Sequence, residues 1–179
     1  MTDYRSGHAA PGPEEDGTTV RLDQVGTPDD MVFPRDVTRH PERYGGTHDD
    51  GNRQVSAARA NPDALVSVWR AVPEGVDAIN PGDWVAISRD YAVQHGASER
   101  APRVLEAKVL ARELWSEGLL DEWGYQGEHP VRGRAIDERK SPAPKVTADK
   151  LAAQLDGAAR ARAATPSAPL LDRSKGMQR

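Results

Sequence analysis

With 179 residues, 37% of them apolar and including 16 Gly and 14 Pro, the chain has room for one ordinary core and carries sequence to spare outside it. The absence of Cys excludes disulfides, a thiolate nucleophile and a thiolate metal site, and the five His residues show no metal-ligand spacing. The formal charge of −4 is unevenly spread: residues 1–50 are net −6, residues 51–129 net −4 and residues 130–179 net +6, so a basic tail follows an acidic body.

Residues 1–32, rich in Pro, Gly and acid and without periodicity, predict a disordered tail. It has no apolar segment of signal-peptide type, and no run in the chain approaches membrane-spanning length, so the protein reads as soluble and cytosolic. The domain is expected over residues 33–129, with Phe33 and Tyr44 as anchors for its leading segment. "GNRQVSAARANPD" predicts a short helix through Val55 and Ala58, stopped at Asn61-Pro62.

Strands follow: "ALVSVWRAV", then "DWVAIS" after the turn signal "NPGD", then "RVLEAKVLA", then "DEWGYQG". Between the second and third, "SRDYAVQHG" predicts one or two helical turns closed by Gly96. Residues 130–179 read as a basic linker and flexible tail with a marginal helix, whose stripe of Leu151, Leu155 and Ala158 ends at Arg162. Such a tail is either merely solvated or meets an anionic partner.

Three polar residues sit oddly in the strand region. Arg70 shares a strand face with Val66, Val68 and Val72; Ser88 closes "DWVAIS"; Glu122 lies between Asp121 and two aromatics. By residue type alone, Arg and Glu on neighbouring strands form an ordinary ion pair, and a Ser before a helix is an N-cap.

The stretch "NPDALVSVWRAVPEGVDAINPGDWVAISRDYAVQHG", followed by "VLEAKVLARELWSEGLLDEWGYQG", resembles the ADP-ribosyltransferase-type domains encoded by actinobacteria and their phages. The resemblance covers residues 33–127 and leaves out the tails. It implies an α+β fold, a split antiparallel β-sandwich with an NAD cleft and a few short helices. Arg70, Ser88 and Glu122 match the family's three motifs in the order of its cholera-toxin-like branch; the diphtheria-toxin-like branch has His in the first.

The implied roles follow the chemistry. Arg70 would meet the phosphates or ribose of NAD, and the backbone at Arg70 and Ala71 the nicotinamide amide. Ser88 would orient the ribose or Glu122, and Tyr91 and Tyr125 are candidates to stack on the nicotinamide or to pack in the core. Glu122 would be the catalytic carboxylate, facing the oxocarbenium-like centre left as nicotinamide departs. No metal is implied.

Two departures bear on the acceptor. Arginine-modifying members carry Glu or Gln two residues before the catalytic Glu, where this chain has Leu120, with Asp121 as its neighbour. The second motif is reduced to Ser88-Arg89-Asp90. The resemblance therefore implies transfer of ADP-ribose to an unknown acceptor, a host protein ahead of a nucleic acid or small molecule, in the cytoplasm of a bacterial host reached by phage expression or with the virion. NAD hydrolysis, with water as acceptor, and a non-catalytic interaction module retaining the fold stand as alternatives.

Overall fold

The structure, a computed structural model, describes residues 10–14, 17–98 and 103–136. Its strands are β1 (Val20–Arg21), β2 (Leu65–Val72), β3 (Ala78–Ile79), β4 (Asp83–Ala86), β5 (Arg103–Leu110), β6 (Leu114–Ser116), β7 (Glu122–Tyr125), β8 (Val131–Arg132) and β9 (Arg134–Ile136). The α-helices are α1 (Asp49–Ala58) and α2 (Arg89–Ser98). This is an α+β arrangement. Seven strands form an antiparallel sheet in the order β1-β6-β7-β4-β2-β5-β9, and β3 with β8 form a small ribbon. No helix among the described residues is long and apolar enough to cross a membrane.

Alternation along β2 sets the two faces of the sheet. Val66 and Val68 turn to the main core, with Val85, Ile87, Leu114, Trp123 and Tyr125 from neighbouring strands and Val55 and Ala58 from α1. Trp69 turns the other way, into a smaller cluster with Ala86, Val104 and Ala92 of α2. β2 pairs with β5 over its whole length, from Leu65 opposite Leu110 to Val72 opposite Arg103. With β4 it pairs at one position only, Trp69 opposite Ala86. The sheet is thus two halves joined at a seam.

The side chains around that seam replace the missing ladder. On one side of the Trp69–Ala86 pair, Gln54 of α1 donates to the carbonyls of Ser67 at 2.9 Å and Ile87 at 2.8 Å. Its amide oxygen accepts the Ser67 N–H at 2.7 Å. On the other side, Arg70 forms an ion pair with Asp83. Asp83 is delivered by the turn Asn80-Pro81-Gly82-Asp83: Gly82 takes φ +84°, open to glycine, and Asp83 N–H donates to Asn80 O at 3.0 Å.

Three expectations are corrected. The N-terminal tail does not extend to residue 32: β1 pairs with β6, and Leu22 and Val25 are fully buried. Asp30 orders the loop behind them, its carboxylate accepting the N–H groups of Gly26, Val32 and Phe33 at 2.6–2.8 Å. A composition rich in acid and Pro conceals this, because the ordering contacts are tertiary or local caps rather than periodic.

The domain also runs past residue 129, since β8 pairs with β3 and β9 with β5. Helix α2 continues through Gly96, which is buried within it rather than serving as its cap. The leading segment is anchored as expected: Phe33 is buried and meets Tyr44 edge-on, with ring centroids 6.2 Å apart. The predicted helix and basic tail beyond residue 136 lie outside the described residues.

Candidate functional site

β7 alternates in the same way as β2. Trp123 and Tyr125 enter the main core, so Glu122 projects from the opposite face, where α2 lies. The register places Trp69, Ala86 and Glu122 in one row across β2, β4 and β7. Ser88 starts α2 as a buried N-cap, its Oγ accepting the Tyr91 N–H at 3.2 Å. One turn into the helix, Tyr91 donates its hydroxyl to Glu122 Oε1.

Two imidazoles flank Tyr91. His95, one helical turn on, stacks on it with centroids 5.9 Å apart and planes 12° apart. His48, immediately before α1, meets it edge-on at 5.8 Å and 81°. His48 Nδ1 lies 3.2 Å from Asp121 Oδ2 and 2.9 Å from Thr47 Oγ1. Thr47 binds the same carboxylate oxygen through its hydroxyl, at 2.7 Å, and its N–H, at 3.2 Å.

The opposite ring nitrogen of His48 faces the Gln94 amide nitrogen at 3.5 Å. A tautomer with the proton on Nδ1 fits both ends, leaving the Nε2 lone pair as acceptor. The Asp121 hydrogen bond raises the His48 pKa above the usual imidazole value. Burial opposes this rise, and the charges of Asp121, Asp50 and Asp90 add to it.

The residues singled out in the sequence divide between the faces. Glu122, Tyr91 and half-buried Ala71 share one, beside Trp69. Arg70 is on the other, and its guanidinium meets Asp83; the two side chains are 17% and 5% exposed, so the pair is largely withdrawn from water. Tyr125 is in the main core, its hydroxyl donating to His129 O at 2.8 Å, and burial raises its pKa. Asp121, the neighbour of Leu120, which stands where arginine-modifying members carry Glu or Gln, is 3% exposed and hydrogen-bonded through Oδ2 to Thr47 and His48.

No family model, no curated protein and no solved structure matches the chain. The chemistry of the site rests on its own geometry.

Trp69 Nε1, on the Glu122 face, is buried with no hydrogen-bond partner among the described residues. A separate cleft of about 410 Å³ between α1 and β2 is lined by residues of both faces, among them Asp50, Gln54, Ala58, Val66 and Trp69, and does not include Glu122. The segment Ala10–Gly12 crosses β7 at Gly124. A Cβ there would stand 2.0 Å from Pro11 O, so only glycine admits the crossing. Gln126 secures it, donating to Pro11 O at 2.9 Å. Among the described residues no group of three or more His, Asp or Glu side chains is placed to hold a metal ion. Sequence spacing gave no sign of the Asp121–Thr47–His48 group, because Asp121 lies more than 70 residues along the chain from Thr47 and His48.

Proposed function

We propose that this protein is an NAD-dependent mono-ADP-ribosyltransferase with an ADP-ribosyltransferase fold. It would act on a host protein in a bacterial cytoplasm, with Glu122 as the catalytic residue. The observation that carries this reading is the Glu122 carboxylate, held by the Tyr91 hydroxyl in the row where the two sheet halves join. The resemblance over residues 33–127 supports it, as does the orphaned Trp69 N–H, a donor awaiting an acceptor in the same row as Glu122.

NAD supplies a ribose whose C1′–nitrogen bond breaks with nicotinamide as the leaving group. A carboxylate facing the positive charge that develops at C1′ is bound more strongly in the transition state than in the ground state, which is what accelerates the step. Tyr91 holds the carboxylate in one rotamer, so little reorganisation is needed as charge develops. Arg70 lies on the opposite face of the sheet and is paired with Asp83, so the reading rests on the Glu122 face and not on Arg70.

The test is incubation of labelled NAD with the protein and bacterial lysate, followed by separation of protein, nucleic acid and small-molecule fractions. Label is expected in protein. Glu122→Gln should keep the fold and lose at least about a hundredfold in nicotinamide release, the effect of removing one electrostatic stabiliser. Near wild-type release by a folded Glu122→Gln protein removes the assignment. Free ADP-ribose with no labelled acceptor would make the enzyme a glycohydrolase.

A further inference from the structure

Glu122 provides for the departure of nicotinamide but leaves the incoming group without a base. Its neighbour two residues earlier is Leu120, which has no proton acceptor and is buried in the main core. Asp121 is 3% exposed, its Oδ2 taken by Thr47 and His48 and its Oδ1 buried without a hydrogen-bond partner among the described residues, so it does not reach an acceptor at Glu122. Among the side chains described around Glu122, His48 has the arrangement such a base needs. One ring nitrogen is anchored on a buried carboxylate, which sets the tautomer and orientation, and the other faces outward toward Gln94. A single aromatic ring, Tyr91, separates His48 from Glu122, touching both.

We propose that His48, oriented by Asp121 and Thr47, is the general base that activates a hydroxyl acceptor, either an alcohol or water, for attack on the ribose held at Glu122. The inference rests on the NAD-dependent reading above. In the step, the acceptor oxygen bonds to C1′ as the C1′–nitrogen bond breaks. The bonding pair goes to the pyridine nitrogen of departing nicotinamide, and the acceptor proton passes to His48 Nε2. A base that activates the nucleophile on the face opposite the leaving group is shared with inverting glycoside cleavage; nicotinamide leaves as a neutral molecule, so no general acid is needed. Asp121 stabilises the imidazolium that forms. The charged groups facing His48 are Asp121 before β7, Asp50 on α1 and Asp90 on α2, with Tyr91, His95 and Gln94 along the rest of α2.

The experiment follows nicotinamide release by the full chain with NAD, with and without added methanol, across about pH 5 to 9. Wild type should form methyl-ADP-ribose and ADP-ribose, with a rate that rises as His48 loses its proton; the ratio of products separates alcohol from water as acceptor. His48→Gln should keep the melting shift produced by NAD, lose about a hundredfold or more in both products, and lose the acid limb of the pH profile. Asp121→Asn should keep an acid limb but move it to lower pH, because the bond that favours the imidazolium is weakened.

A wild-type rate and pH profile in His48→Gln would overturn the role of His48 while leaving that of Glu122 intact. Absence of nicotinamide release by wild type would overturn the NAD reading, and this inference with it. If His48→Gln does not fold, Asp121→Asn decides: an unmoved acid limb overturns the proposal.

Discussion

Arg70 shows how a side chain's partner is set by the strand beside it. On β2 it occupies a position where Val66 and Val68 enter the core, and a guanidinium there needs an anion. Asp83 supplies it from the start of β4. Arg70→Met leaves Asp83 buried without its cation and should cost about 3 kcal/mol in urea unfolding, the low end for breaking a buried pair. Arg70→Met combined with Asp83→Asn should recover part of that loss.

Arg70→Lys keeps the charge but not the fork, so the melting temperature without NAD should fall. The melting shift at saturating NAD measures the other role: if it is intact in Arg70→Lys, the arginine does not hold the ligand.

His48 ties a titration to folding. Its folded pKa is raised above the ordinary 6.5, chiefly by the Asp121 hydrogen bond. The stability it contributes is therefore complete below about 6.5 and disappears as pH rises through the higher folded value. Urea midpoints for wild type should fall over that interval. In His48→Gln this component of the fall should be absent, and an unchanged pH dependence would show that the Asp121–His48 bond does not form in solution.

The seam between β2 and β4 is the element on which the architecture turns. A full antiparallel pairing would have satisfied Ser67 and Ile87 through backbone bonds; instead the Gln54 amide satisfies three of their groups from α1. Gln54→Leu fills similar volume but leaves Ser67 N–H, Ser67 C=O and Ile87 C=O without that partner. Each such group costs about 1–3 kcal/mol where water cannot reach it. A loss of about 3 kcal/mol by denaturant titration is expected; a change below about 0.5 kcal/mol would mean that the strands close on each other without the glutamine. The seam also brings α1 and the residues preceding it, His48 among them, close to the row that carries Glu122.

The molecule as a whole depends on chain that composition assigns to a tail. Leu22 and Val25 are fully buried, and β1 forms the edge of the sheet next to β6. Burying two such side chains contributes about 1.5–3 kcal/mol each, a large share of the roughly 5–15 kcal/mol by which domains are stable. A chain beginning at Phe33 should therefore fail to show a cooperative melting transition. A melting temperature close to that of the full chain would mean that β1 and the segment behind it are dispensable.

Strands β2, β4, β5 and β7, helix α1 and the turn before β4 were all legible in the amino-acid order. Each is signalled by neighbours within a few residues: alternation for the strands, Asn61-Pro62 after the helix, Pro81-Gly82 in the turn. The face on which Glu122 emerges follows from the same alternation once Trp123 and Tyr125 are known to be core. Pairing decided the rest. The dipeptide β1 and the short β9 carry too few residues for a period and exist because strands β6 and β5 accept their backbone, while β8 exists only through pairing with the equally short β3. The separation of Arg70 from Glu122, the Arg70–Asp83 pair and the Asp121–Thr47–His48 group depend on register between distant segments. A local pattern states which residues share a face of one strand, but the partner a charged side chain meets is fixed only when two strands align.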